Sequence, residues 1–146
     1  METLGREIMY SVFRMQKALC RLAREDAARV GITEVQLMIL YTLWKRENIR
    51  LNDLAEKLNL SNSNVSSTVD RLVSAGLVAR ETSKEDRRAV ILSLTDKGRQ
   101  TIKEAFNHES ILLQRLRKIE QTIDAEEILQ LLSLQQKMKN ILLGEE

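Results

Sequence analysis

Hydrophobic positions along most of the chain recur at intervals of three and four, which is the spacing of one face of an α-helix. Long stripes of this kind predict helices over residues 1–30 and 124–144, each with an apolar face that can pack against another helix. Residues 35–46 (VQLMILYTLWKR) are apolar almost all round, which predicts a buried helix. Its aromatic side chains, Tyr41 and Trp44, are expected in the core rather than in a ligand site.

Polar side chains mark several helix starts, because they can accept hydrogen bonds from the free N–H groups of a first turn. Thr33 and Gln36 have the spacing of a capping box, which predicts a helix that begins at Thr33. Thr95 is expected to open a long connecting helix over residues 95–122. Further N-caps are predicted at Asn52, Ser61 and Asp124.

The middle of the chain has shorter elements. Residues 51–58 and 61–76 each carry a short apolar stripe, and a very short link that contains Asn59 joins them. A small residue in the first helix (Ala55), a turn residue (Asn59) and an apolar residue in the second helix (Val65) form the pattern of a helix-turn-helix. The two helices are therefore expected to cross as they do in that motif.

The outward face of the second helix carries short hydrogen-bonding side chains and one arginine. Serine and asparagine weaken a helix, so solvation alone does not explain them, although a helix start rich in capping residues is the alternative. Small polar groups allow a helix to enter the major groove of DNA and to hydrogen-bond with base edges. The predicted contacts are Asn62, Ser63, Asn64, Ser66, Ser67, Thr68 and Arg71.

After this helix, apolar and polar positions alternate on both sides of a charged segment, residues 83–88, which predicts a β-hairpin with a projecting loop. A solvated hairpin tip is one interpretation. A charged loop that follows a helix-turn-helix directly favours a wing, whose cations can contact DNA phosphates or the negative minor groove. Asp86 is expected to pair with the guanidinium group of Arg88 and to orient it. The predicted wing residues are Lys84, Asp86, Arg87 and Arg88.

Composition limits the class of protein. The 146 residues are 43% hydrophobic and 30% charged, without an apolar run near the roughly 20 residues of a transmembrane helix. We expect one domain over residues 1–146, in the cytoplasm and without membrane association, because the N-terminus lacks a cleavage pattern and one cysteine forms no intrachain disulfide. The net charge of +2 argues little about partners, so any basic surface has to come from local placement.

Candidate catalytic chemistry is sparse. The single histidine, His108, has no second His or Cys at metal-ligand spacing, and the chain has no glycine-rich phosphate loop. We therefore expect no catalytic residue, metal or cofactor, and an exposed helical position for His108. Cys20 has basic neighbours that can lower a thiol pKa, so redox sensing stays an alternative to the role of a small core residue.

The order of these motifs resembles the multiple antibiotic resistance regulator (MarR) family of winged-helix transcription factors. The matching parts are the segment LNDLAEKLNLSNSNVSSTVDRLVSAGLVAR, the wing motif of Asp86 and Arg88, and VILSLTDKG. The resemblance covers essentially the whole chain. It implies a mainly α fold with a small β-hairpin, in which a winged helix-turn-helix at residues 33–95 is flanked by long N- and C-terminal dimerisation helices.

The resemblance also implies a homodimer that binds a pseudo-palindromic double-stranded DNA operator and is often released by a small-molecule effector. Asp86 and Arg88 match the acidic residue and the arginine of the family's wing, and residues 62–71 match its recognition helix. We expect a repressor, because a compact dimer acts most simply by occupying a promoter. A winged-helix adaptor that binds protein stays the alternative. Dimer contacts are expected at Ile8, Val12, Met15, Leu19, Leu131, Leu132 and Leu134.

Overall fold

A computed structural model describes residues 3–145 and divides the chain after Leu112 into two compact units. The described helices are α1 (Leu4–Arg29), α2 (Glu34–Lys45), α3 (Leu51–Leu58), α4 (Asn62–Ser74), α5 (Asp96–Ala105), α6 (Ile111–Thr122) and α7 (Ala125–Leu143). The described strands are β1 (Ile49–Arg50), β2 (Val78–Thr82) and β3 (Val90–Leu94). The mainly α fold class with a small β-hairpin is confirmed.

Helix α2 is the centre of the first unit and begins with the predicted capping box. The Thr33 hydroxyl accepts from the N–H of Gln36 at 3.2 Å, and the Gln36 side chain accepts from the N–H of Thr33 at 3.0 Å. The helix packs against α1, α3, α4, α5 and β3. Its fully buried side chains are Leu37, Ile39, Leu40 and Leu43.

The prediction that α2 is buried all round is wrong for the single chain. Met38, Tyr41 and Trp44 are each 42–43% exposed, so the two aromatic residues are not core residues. The Tyr41 ring packs edge to face with Phe106, with ring centroids 5.7 Å apart, and Lys45 Nζ lies 5.9 Å from the centroid of the Tyr41 ring. An apolar sequence shows that a face favours cover, but the sequence does not show whether that cover comes from the same chain.

The three strands form an antiparallel sheet in the order β1, β3, β2. The hairpin of β2 and β3 was predicted, and its pairing runs from Val78 opposite Leu94 to Thr82 opposite Val90. Strand β1 was not predicted, because two residues are too few to show an alternating pattern. It pairs Arg50 with Ile91 on β3.

The turn between α3 and α4 has the predicted form. Asn59 adopts a left-handed conformation at φ 52°, which asparagine tolerates better than most residues. Ser61 then caps α4 by accepting from the N–H of Asn64 at 3.2 Å. The cap predicted at Asn52 is wrong, because the chain enters α3 directly from β1 and Asn52 lies inside the first turn, with Arg50 at the N-cap position.

Helix α5 starts on top of the C-terminal end of α4. Thr95 accepts from the N–H of Gly98 at 3.0 Å and donates its hydroxyl to the carbonyl of Gly76 at 2.6 Å. Lys97 donates to the carbonyl of Ala75 at 3.0 Å. A Cβ atom on Gly98 would lie 2.1 Å from the carbonyl oxygen of Leu77, so this close approach requires glycine.

The single helix predicted over residues 95–122 is wrong, because it is broken between Ala105 and Ile111. The break is held from α1. Asp26 accepts hydrogen bonds from the Ser110 hydroxyl at 2.6 Å and from the N–H groups of Ile111 and Leu112 at 2.9 and 3.2 Å, so it caps α6 from a distant part of the chain. His108 is exposed as predicted, but it lies in this break and not in a helix.

Arg29, one helical turn after Asp26, holds the other side of the same break. Its guanidinium group donates to the carbonyls of Glu104 and Ala105, at 3.0 and 2.8 Å, at the C-terminal end of α5. The acid therefore lies at a helix start and the base at a helix end, which is the favourable arrangement for both helix dipoles.

The second unit contains most of α6 and all of α7. None of the described side chains of these two helices is buried. Helix α7 begins after Asp124 as predicted, but the Asp124 side chain makes no cap hydrogen bond. It ends at Gly144, which has a left-handed φ of 69°. Within residues 3–145, no helix is both long and apolar enough to span a lipid bilayer.

Candidate functional site

Helix α4 separates an apolar inner face from a polar outer face. Val65, Val69 and Leu72 are fully buried against the core of the first unit. The predicted contact residues divide into two groups by exposure. Asn62, Ser63, Asn64, Ser67 and Arg71 are exposed, whereas Ser66 and Thr68 are half-buried. The exposed polar face of α4 is therefore narrower than the predicted contact surface, because only five of the seven predicted residues are exposed.

Hydrogen bonds within α4 further limit which groups are free. The hydroxyl of Thr68 donates to the carbonyl of Asn64 at 2.9 Å, one turn back. A hydroxyl that is bonded in this way has its hydrogen already in use, so it offers an outside partner only acceptor positions. The side chains of Asn64 and Ser67 have no such internal bond in the described part of the chain, which leaves their donors and acceptors free.

An ion pair between α4 and the wing was not predicted. The carboxylate of Asp70 pairs with the guanidinium group of Arg80 on β2. The two residues are ten positions apart on different elements, so no local spacing rule could have found the pair. The pair links α4 to β2, and Arg71, the next residue on α4, has no ion pair among the described residues.

The wing loop is held by its own hydrogen bonds. Ser83, which is only 6% exposed, accepts from the N–H groups of Glu85 and Asp86, both at 3.3 Å. Its N–H donates to the carbonyl of Ala89 at 2.9 Å, which closes the loop across its base. Three of the predicted contact groups, the side chains of Lys84, Arg87 and Arg88, therefore project from an ordered turn and are exposed.

The predicted pairing of Asp86 with the guanidinium group of Arg88 is wrong in its atoms. The carboxylate of Asp86 accepts from the backbone N–H of Arg88 at 3.0 Å. In turns, asparagine and aspartate side chains commonly accept a hydrogen bond from the backbone N–H two residues later, as Asp86 does here. Asp86 thus sets the path of the chain at Arg88, and the guanidinium group has no ion-pair partner in the described part of the chain.

Comparison with known proteins shows which family has the same sequence pattern and the same fold. The MarR family profile matches residues 32–90, from the capped start of α2 to the beginning of β3. The crystal structure of AbfR from Staphylococcus epidermidis superposes with a TM-score of 0.80 at 26% identity, over 95% of this chain and 93% of AbfR. Over residues 32–90 the chain is similar to the MarR family, and its fold resembles that of AbfR.

Two further relatives extend this MarR-family comparison. The transcriptional repressor MdtR from Bacillus subtilis is 36% identical over 74 residues, which are 51% of this chain and 48% of MdtR. The chain spans about half the length of MdtR and of two other curated relatives. The repressor CouR, in a structure bound to a DNA duplex, superposes with a TM-score of 0.74 at 27% identity, over 93% of this chain and 94% of CouR.

An arginine that was not predicted lies beside the wing. A cleft of about 190 Å³ has Arg50, Leu51 and Asn52 on one side. Its other side is formed by the base of the wing, with Asp86, Arg88, Ala89 and Val90. Arg50 was missed because only the pairing of β1 with β3 brings it next to the wing.

Cys20 does not have the environment of a reactive thiol. Burial raises the pKa of this thiol above its ordinary value, and a hydrogen bond to Glu34 and the charge of Glu34 raise it further. Arg24 lowers the pKa, as predicted for the basic neighbours, but Arg24 also pairs with Glu34 at 3.3 Å, and the net effect is upward. The basic neighbours were visible in the sequence, whereas Glu34 comes close only in the fold.

The residues predicted for dimerisation lie on exposed apolar faces of both units. Helix α1 exposes Ile8, Val12, Met15 and Leu19, and also Met9, Tyr10 and Phe13, so its apolar surface is wider than the predicted stripe. In the second unit, α7 exposes Leu131, Leu132 and Leu134, each 48–55%. Exposed apolar faces of this kind are typical of protein–protein interfaces.

Proposed function

We propose that this chain is a sequence-specific DNA-binding transcriptional regulator of the MarR type, with α4 in the major groove and the wing at the adjacent minor groove or phosphates. One observation carries the proposal. Helix α4 buries its apolar stripe and exposes Asn64, Ser67 and Arg71, while the wing beside it exposes Arg87 and Arg88 without ion-pair partners in the described part of the chain. Two similarities support the proposal: the fold of CouR, which was solved bound to DNA, and the sequence of the repressor MdtR.

The proposal includes a homodimer. Two copies related by a twofold axis would present two α4 helices to the two halves of a pseudo-palindromic operator. The exposed apolar faces of α1 and α7 supply the surface that such a dimer buries. A dimer of this kind acts as a repressor by occupying a promoter in the cytoplasm, and it needs no catalytic residue, metal or cofactor.

Release by a small-molecule effector is also part of the proposal. A cleft of about 270 Å³ in the first unit lies between the turn after α1, the end of α4 and α5, with Gly31, Ala75 and Thr101 in its lining. Its size approaches that of small-ligand pockets. A thermal-shift screen with small organic acids and phenols, followed by duplex titrations with each hit, tests whether occupancy weakens DNA binding.

The DNA-binding part is tested by titrating labelled duplexes, first selected from a random pool and then scrambled, at two salt concentrations. Asn64→Ala is expected to cost about 1–3 kcal/mol on the selected duplex alone, because it removes a base contact. Arg88→Ala is expected to weaken both duplexes and to reduce the salt dependence, because it removes a backbone or groove contact.

The protein-binding adaptor makes the opposite prediction for the same titrations. An adaptor has no need for exposed cations at the wing tip, so its retention on DNA or heparin should be weak and insensitive to Arg88→Ala. Equal weak binding of the selected and scrambled duplexes by the unchanged protein would reject sequence-specific recognition and favour the adaptor.

A further inference from the structure

Two arginines line one cleft at the base of the wing. Arg50 and Arg88 both line the cleft of about 190 Å³ described above, and both are exposed. Neither has an ion pair among the described residues, whereas Arg80 on the neighbouring strand is paired with Asp70. Two unpaired like charges in one cleft favour an anion between them, because each guanidinium group presents a planar set of N–H donors.

The fold holds the two arginines in this arrangement through the backbone. Pairing of β1 with β3 places Arg50 directly opposite Ile91, close to the strand end where the wing loop returns. The hydrogen bond from the N–H of Arg88 to Asp86 sets the chain path on the other side. The cleft is therefore formed by a strand pair and an ordered turn, and not by two flexible side chains that meet by chance.

The lining chemistry is suited to an anion. The only acid in the lining is Asp86, and its carboxylate already accepts from the backbone N–H of Arg88. Asn52 adds an amide that can donate, and the half-buried Leu51 and Val90 provide apolar walls. The arginines outnumber the carboxylate two to one.

We propose that this cleft binds a phosphate group, held by Arg50 and Arg88 together, and that its source is the DNA backbone next to the wing. The proposal deepens the proposed function and rests on it, since it assigns Arg50 as a phosphate contact outside the recognition helix and the wing tip. Arginine suits this ligand because its fork can donate two parallel hydrogen bonds to phosphate oxygens.

The experiment is a double-mutant cycle on a labelled random-sequence duplex, with salt titrations for each variant. Arg50→Ala is expected to weaken binding roughly tenfold at low salt, the lower end for a hydrogen bond to a charged group, and to reduce the slope of log K against log salt by about 0.9. Arg50→Lys keeps the positive charge but lacks the planar guanidinium group, so its affinity should lie between those of Arg50→Ala and the unchanged protein. Arg46→Ala removes an exposed arginine that does not line the cleft and serves as the matched control.

The cycle with Arg88→Ala tests whether both arginines hold the same phosphate. If they do, the double variant loses less affinity than the product of the two single losses, because the second side chain no longer has a fixed ligand. Multiplicative losses would show two separate phosphates and would overturn the shared site. Equal binding by Arg50→Ala and Arg46→Ala, with equal salt slopes, would remove Arg50 from the interface.

A second arm uses inorganic phosphate and NMR on the protein without DNA. Shifts of the Arg50 and Val90 amides that disappear in Arg50→Ala, together with unchanged duplex binding by that variant, would assign the site to free phosphate instead of DNA. If the unchanged protein binds no duplex at all, the proposed function fails, and the NMR arm alone still tests the cleft. Absence of both effects rejects phosphate binding here.

Discussion

Asp26 is the buried carboxylate on which the junction between α5 and α6 depends. It is 1% exposed, and its three hydrogen-bond donors come from residues 84 to 86 positions away. Such a group is stabilised only while its donors stay in place, because a buried carboxylate without them carries a large desolvation cost. The sequence did not identify it, since an acid near the end of a long helix is ordinarily a solvent-exposed side chain.

We predict that Asp26→Ala lowers the free energy of unfolding by about 3 kcal/mol, because the Ser110 hydroxyl and two backbone N–H groups lose their acceptor. Asp26→Asn keeps one acceptor oxygen and should lose roughly half as much. Urea unfolding followed by circular dichroism measures both. Equal losses for the two substitutions would show that charge, and not the number of hydrogen bonds, is what α6 requires.

The raised pKa of the Cys20 thiol predicts slow alkylation. A thiol with a raised pKa has less thiolate at neutral pH, so alkylation by iodoacetamide should be slower in the folded protein than in urea and should accelerate only as the pH rises above the ordinary thiol range. Glu34→Gln removes the carboxylate that raises the pKa and should speed the reaction at neutral pH. Faster labelling of folded than of unfolded protein would restore the redox-sensing alternative.

At the scale of elements, the wing depends on the hydrogen bond between Asp86 and the backbone of Arg88. We predict that Asp86→Ala weakens operator binding several-fold even though it removes a negative charge, because the loop loses the bond that sets the direction of Arg88. Asp86→Asn keeps a side-chain oxygen acceptor and removes the charge, so it should bind at least as tightly as the unchanged protein. Duplex titrations at two salt concentrations measure both variants.

Comparison of Asp86→Ala with Asp86→Asn separates the effect of the Asp86 charge from the effect of its hydrogen bond to the loop backbone. If Asp86→Ala binds as tightly as Asp86→Asn at both salt concentrations, the acid contributes only charge and the loop geometry is irrelevant. A loss confined to Asp86→Ala would assign the effect to the backbone hydrogen bond.

Elements whose signals are local were predictable. The capping box of α2 and the Ser61 and Thr95 caps rest on contacts within a few residues, the hairpin shows as two adjacent alternating segments, and the structure has all of them. Strand β1 and the break between α5 and α6 depend on distant partners, β3 for the strand and Asp26 for the break. No periodicity within the segments themselves contains that information.

At the scale of the whole molecule, the exposed apolar faces of α1 and α7 are the strongest sign of a second copy. We predict a dimer in sedimentation at about micromolar concentration. Leu132→Asp should produce monomers and reduce operator affinity at least tenfold, because an interface carboxylate has no partner and half-sites about 10 base pairs apart require both winged helices.

Leu132→Met is the matched control, since it preserves volume and apolar character and should leave the dimer intact. A folded monomer of the unchanged protein at the same concentration would contradict the dimer. Retention of full operator affinity by a monomeric Leu132→Asp protein would show that one winged helix is sufficient.

The sequence alone determined helices α1 to α4 and α7, the helix-turn-helix link, the hairpin and the polar face of α4, because these follow from short-range periodicity and capping. Tertiary structure alone decided that α2 keeps an exposed face, that Asp86 bonds to the backbone of Arg88, and that Arg50 lies beside the wing. The physical reason is the range of the interactions. A cap or a stripe acts within a turn or two of the chain, whereas burial, ion pairs and clefts depend on which distant segments the fold brings together.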